Sequence, residues 1–143
     1  EPVSLGLLYG FWRKMLPQSK LITLISSTGG GRDTGRRLTN GKAAGALCDY
    51  VIITDEDPYD DDPTLIIQQV AEGVVASGKV LNQTAWIIPD RRQAIAAAFS
   101  MAKPGDVVFL TCKGADQKIC RAKGKKEPWD DRTVAREELT KLS

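Results

Sequence analysis

A chain of 143 residues with 42% hydrophobic and 27% charged residues has the size and composition of one globular domain able to bury a core. No apolar run approaches the ~20 residues that span a bilayer, the opening residues lack a secretory signal pattern, and a net charge of +2 makes no case for nucleic acid. The absence of histidine excludes Ser-His and Cys-His nucleophile pairs, and three scattered cysteines without a CxxC pair argue against zinc and disulfide frameworks.

Leu5, Leu8, Trp12 and Met15 recur at helical spacing before Pro17, which predicts a first helix. Leu21 to Ile25 reads as a buried strand and runs into the Ser-Ser-Thr-Gly-Gly-Gly of residues 26–31. Lys42 to Cys48 has helical propensity, and Tyr50 to Thr54 is the next strand. Asp62-Pro63 starts a helix with an apolar stripe of Ile66, Ile67, Val70, Ala71 and Val74, stopped by Gly78. Ala85 to Ile88 predicts a strand, Asp90 caps a helix whose apolar face is Ala94, Ile95, Ala98 and Phe99, and Val107 to Leu110 comes next as a strand. Lys113 to Lys126 is basic, with a hairpin turn at Gly124 and an antiparallel edge; Asp130 or Asp131 then caps a last helix. Alternating apolar strands and helices predict an α/β fold. The expected architecture is a Rossmann-like, doubly wound, mostly parallel sheet with an antiparallel C-terminal edge, one domain over residues 1–143.

Ligands in such sheets bind beyond the carboxyl ends of the strands, so three loops stand out. The first, Thr28 to Arg37, combines Gly29, Gly30, Gly31 and Gly35 with Arg32, Asp33, Arg36 and Arg37. Glycines let backbone N–H groups approach an anion and arginine forks hold a carboxylate or phosphate; a flexible loop with solvated arginines is the alternative. Neither the GxGxxG nor the P-loop spacing is met, since Thr34, Arg36 and Ala43 stand where those motifs need other residues. The second, Asp55 to Asp62, holds Asp55, Glu56, Asp57, Asp60, Asp61 and Asp62. So many carboxylates repel one another unless a cation answers them: a divalent ion, a ligand ammonium, or the arginines of the glycine segment. The alternative, a solvated loop capping a helix, suits Asp60 to Asp62 better than Glu56 to Tyr59. Its pattern is not that of a calcium loop. The third is Cys112-Lys113-Gly114-Ala115-Asp116, a lysine and an acid around a glycine.

Together, in this order, the loops resemble the C-terminal domain of the Mur ligases, closest to the branch that adds the third residue of the peptidoglycan stem peptide. That branch's glycine loop resembles Gly30 to Arg37, its Asp-Asn-Pro-Arg motif aligns with Glu56-Asp57-Pro58-Tyr59, and its Gly-Lys-Gly-His-Glu aligns with Cys112 to Asp116. Glu127 to Arg132 resembles the segment before the family's last helix, and Glu1-Pro2 resembles the residues just after its Asp-Tyr-Ala-His segment. Two departures bear on the acceptor: Tyr59 replaces the arginine that holds a diaminopimelate carboxylate, and Ala115-Asp116 replaces His-Glu. Tyrosine offers no cationic fork, so lysine, another diamino acid or a different acceptor is open.

The resemblance implies part of a cytoplasmic three-domain ligase in peptidoglycan synthesis. ATP and Mg2+ would bind mainly outside this chain, on a central domain that is its partner, and the other substrates would be a UDP-N-acetylmuramoyl-peptide and an amino acid. It implies no catalytic residue and no metal ligand in this chain, which alone should be inactive. The implied substrate-binding residues are Arg32, Asp33, Glu56, Asp57, Tyr59, Lys113, Gly114 and Asp116: Arg32 for the α-carboxylate, and Glu56, Asp57 and Asp116 for ammonium groups. The rival reading is a stand-alone Rossmann-like module that binds a small molecule or nucleotide without catalysis.

Overall fold

A computed structural model describes residues 2–142; Glu1, part of the resemblance at the amino end, lies outside them. The elements are α1 (Pro2–Met15), β1 (Leu21–Ile25), α2 (Gly35–Leu47), β2 (Tyr50–Ile53), α3 (Pro63–Ala76), β3 (Ala85–Ile87), α4 (Arg91–Met101), β4 (Val107–Leu110), β5 (Lys118–Cys120), β6 (Lys126–Pro128) and α5 (Asp131–Lys141). Four parallel strands form the main sheet in the order β3-β2-β1-β4.

Successive strand side chains point to opposite faces, and the core divides accordingly. Leu21, Ile25, Val51 and Ile53 pack with Tyr9 of α1, Ala44 of α2 and Val70 and Val74 of α3. Ile22, Leu24 and Ile52 pack on the other face with Ala94, Ile95 and Ala98 of α4 and Val134 of α5. Covered on both sides, β1 is buried at every residue, as its unbroken apolar run requires. The chain steps outward from β1 to β2 to β3 and then returns to place β4 on the other side of β1. This reversal opens a crevice between the loops that leave β1 and β4.

Helices α2 and α3 touch backbone to backbone. A Cβ on Gly41 would sit 2.1 Å from the Val70 carbonyl oxygen, and one on Gly73 2.1 Å from that of Leu38. The caps read from sequence are in place: Asp62, Asp90 and Asp130 accept hydrogen bonds from Thr64, Gln93 and Arg132 N–H groups, and Gly78 lies just past α3 with φ +99°.

Three expectations are corrected. The buried face of α1 carries Leu5 and Tyr9, while Leu8 and Met15 are exposed. Tyr9 turns inward because its hydroxyl finds Thr23 at 2.8 Å and its ring meets Phe109 edge-on, a polar partnership that an apolar pattern does not reveal. Helix α2 begins at Gly35, well before Lys42, because Asp33 organises the first turn through bonds to the Gly35 and Arg36 N–H groups. Finally, the antiparallel pair β5-β6 is a separate two-stranded sheet, not an edge of the main one. It is docked on the acidic loop: the Tyr59 N–H donates to the Cys120 carbonyl and the Cys120 N–H to Asp57.

Candidate functional site

Three loops leave the carboxyl ends of β1, β2 and β4 and meet at one rim. The β1 loop rests directly on the β2 loop. The Gly29 N–H donates to the Asp57 carbonyl at 2.9 Å, and a Cβ on Gly29 would lie 2.1 Å from the Pro58 oxygen, so no other residue fits there. At Gly30, with φ +71°, an added Cβ would meet the Tyr59 ring at 2.9 Å. Ser26 Oγ donates to Glu56 at 3.0 Å, and Cys112 Sγ reaches the Ser26 carbonyl at 3.4 Å, joining the β4 loop to the β1 loop across the crevice.

The acidic segment is answered largely from within the chain. Asp55 pairs with Arg121 of the hairpin, Asp61 with Arg37 of α2 at 2.7 Å, and Asp60 accepts the Lys123 N–H at 2.8 Å. Asp57 is buried; its Oδ2 takes the Lys113 ammonium at 2.7 Å and its Oδ1 the Cys120 N–H at 2.8 Å. Of the cation sources considered from sequence, the arginines of the glycine segment answer Asp61 alone. Arg121 of the hairpin answers Asp55 and Lys113 answers Asp57, while Glu56, Asp60 and Asp62 accept from Ser26 Oγ and the Lys123 and Thr64 N–H groups. Among the described residues, no group of three or more His, Cys, Asp or Glu side chains is set to hold a metal ion. Asp55, Asp57, Asp60 and Asp61 are taken up by internal cations and N–H groups, a donor set that does not fit Mg2+.

The eight residues singled out from sequence therefore fall into two layers. Glu56, Asp57 and Lys113 are buried and already hydrogen-bonded. Arg32, Asp33, Gly114 and Asp116 are exposed and Tyr59 half-buried. Asp33 binds the Gly35 N–H through Oδ1, and Gly114 turns the β4 loop with φ +62°. Asp116 is 71% exposed at its side chain, with Oδ2 4.0 Å from Lys113 Nζ. Tyr59 takes the left-handed conformation, φ +52°. Its phenol is pushed above its ordinary range, first by a hydrogen bond with the Cys120 side chain; the neighbouring Arg32 charge works in the opposite direction. Arg32 follows Gly30, the residue against the Tyr59 ring, by two positions, on the loop that shares this rim with Asp57.

Sequence reasoning missed the frame beneath. Arg91 donates to the carbonyls of Asp55 and Thr111 and to both oxygens of Asp131, tying the β2 and β4 loops to α5. Its sequence signal, an arginine after a cap, is no different from that of a solvated one. Arg37 was visible only as half of an Arg-Arg pair, yet it is buried and bonded to Asp61 and Gln69.

Residues 2–114 match the family model described as Mur ligase, glutamate ligase domain. A UDP-N-acetylmuramyl-tripeptide synthetase of Roseiflexus sp. (strain RS-1) is 41% identical over 127 residues, 89% of this chain and 25% of the relative. A UDP-N-acetylmuramoyl-L-alanyl-D-glutamate--2,6-diaminopimelate ligase of Nitrosomonas europaea is 42% identical over 128 residues, 88% of this chain and 23% of the relative. A solved structure of a ligase of that second name superposes with a TM-score of 0.85 at 26% identity, covering 99% of this chain and 28% of that one. The chain spans about a quarter of the length of the curated relatives it matches.

Proposed function

The chain belongs to the Mur ligase family, and from that premise we propose that it is the amino-acid- and nucleotide-positioning domain of an ATP-dependent ligase that extends the peptidoglycan stem peptide in the cytoplasm. In such a reaction ATP phosphorylates a substrate carboxylate. The amine of the incoming amino acid then attacks the acyl phosphate, the new C–N bond forms as phosphate leaves, and the amine loses a proton. ATP, Mg2+ and the UDP-N-acetylmuramoyl-peptide would be held mainly by the rest of the ligase. Family membership favours this reading over a free-standing nucleotide-binding module.

The work of this domain is geometric. A zwitterionic acceptor needs a cation for its carboxylate and an anion for any second ammonium group, both held still while water is excluded. The observation that carries the reading is the placement of exposed Arg32 and exposed Asp116 on one rim, above buried and bonded Asp57 and Lys113. Arg32 is on the glycine loop that rests on residues 57–59, and Asp116 lies 4.0 Å from Lys113. Arg32 would hold the carboxylate by charge-assisted hydrogen bonds, and Asp116 a distal ammonium. Glu56 and Asp57 support the floor.

The test is amide-ligase assay of the full-length enzyme with lysine, ornithine and meso-diaminopimelate, with and without Arg32→Ala. A rise of roughly tenfold or more in the amino-acid KM, with the ATP KM unchanged, is expected. An unaltered amino-acid KM removes Arg32 from the site.

A further inference from the structure

Resting on the reading of Arg32 as the carboxylate grip, we infer that Lys113 is a positioning residue for the acceptor: its buried ammonium fixes Asp57, and the backbone of Asp57 fixes the glycine segment that carries Arg32. The Lys113 side chain is 0% exposed, so it cannot meet a ligand from solvent. Its ammonium lies 2.7 Å from Asp57 Oδ2, while Oδ1 takes the Cys120 N–H. Both oxygens of Asp57 are therefore bonded inside the fold.

The same residue holds the β1 loop through its carbonyl, which accepts the Gly29 N–H at 2.9 Å. Gly29 is wedged against the Pro58 oxygen, and Gly30 against the Tyr59 ring. Any relaxation of residues 57–59 therefore moves the seat of the glycine segment, and with it Arg32, three residues beyond Gly29. Lys113 also anchors its own loop, since its N–H donates to Thr111. One ammonium thus sets the relation between the loops after β1, β2 and β4. Asp57 and Lys113, both buried and 2.7 Å apart, form a charge-matched pair. A buried charge that loses its partner is strongly disfavoured, and Lys113→Met would drive Asp57 toward water and release the turn.

Two measurements test this. The first is amide hydrogen exchange by NMR on this chain, in wild type, Lys113→Met and the charge-neutral Asp57→Asn/Lys113→Met. Gly29 should exchange at least tenfold faster in both variants, while Val51, whose N–H is bonded to the Thr84 carbonyl just before β3, stays within about threefold. If Lys113→Met loosens the whole fold, the neutral double variant alone decides. Wild-type protection of Gly29, or equal acceleration of Gly29 and Val51 in the double variant, overturns the inference.

The second is steady-state kinetics of the full-length ligase with the acceptor it accepts among lysine, ornithine and meso-diaminopimelate. Lys113→Met should raise the acceptor KM at least tenfold with kcat and ATP KM within about threefold, and add nothing to Arg32→Ala in the double variant. If Arg32→Ala raises KM and Lys113→Met does not, the inference fails alone; if Arg32→Ala changes nothing, the carboxylate reading fails first.

Discussion

Arg91 holds Asp131 by two parallel hydrogen bonds, Nε to Oδ1 at 2.8 Å and Nη2 to Oδ2 at 2.7 Å, with both side chains buried. The Trp129 indole N–H also donates to Asp131, so the carboxylate is fully enclosed by donors. Asp131→Ala leaves the guanidinium buried without its counter-charge, and should lower the unfolding free energy by about 3–5 kcal/mol. Urea denaturation of the chain measures it. A loss below about 1 kcal/mol would mean that the carbonyls of Asp55 and Thr111 satisfy Arg91 unaided.

Two helical glycines should respond to alanine with opposite signs. Gly10 in α1 has nothing within 4 Å of an added Cβ, so Gly10→Ala should stabilise by roughly 0.5–1 kcal/mol through helix propensity alone. At Gly41 the same gain is opposed by the Val70 oxygen 2.1 Å from the new carbon. Separating α2 from α3 costs more than propensity returns, and Gly41→Ala should destabilise by about 1–3 kcal/mol. Equal signs in paired denaturation curves would refute the close helix contact.

The acid limb of stability should report Asp49. Burial acts to raise its pKa, but hydrogen bonds from Arg13 and the Leu21 N–H outweigh burial and hold the carboxyl below its ordinary range. A pKa lower in the folded than in the unfolded state means stability that is present above about pH 4 and is lost as the pH falls through the folded value. Asp49→Asn should flatten the curve of unfolding free energy against pH in that window and leave its shape near neutrality unchanged. Superimposable acid limbs would show that the Arg13 pair contributes nothing.

Tyr59 offers a gain-of-function test. The resemblance to the family motif implies an arginine at this position, and the Tyr59 ring lies against Gly30 of the loop that carries Arg32. In the full-length ligase Tyr59→Arg should lower the KM for meso-diaminopimelate relative to lysine by roughly tenfold, the value of one charge-assisted bond to a second carboxylate. An unchanged ratio would place acceptor selection elsewhere.

What the sequence made legible was local. Apolar runs marked β1, β2 and β4, and Asp62, Asp90 and Asp130 marked helix starts, because each of these signals is confined to a few neighbouring residues. The three rim loops were recognisable from their composition and order. The pairing between them was not: Asp57 meets Lys113 and Asp55 meets Arg121 across long stretches of chain, and no periodicity encodes which distant cation answers a given acid. The rotation of α1 toward Tyr9 was hidden for a related reason, since its hydroxyl is satisfied by Thr23, a residue from another element.

The frame beneath the rim also limits how this domain can be trimmed or exchanged. The family match stops at residue 114, yet Arg91, Asp55 and Asp57 complete their bonding with Asp131, Arg121 and the Cys120 amide, all beyond it. A version cut at residue 114 would strand those charges, and a chimera that exchanges the segment beyond it would have to carry the matching partners. The residues on either side of position 114 are therefore one folding unit, and substitutions at these paired positions should covary.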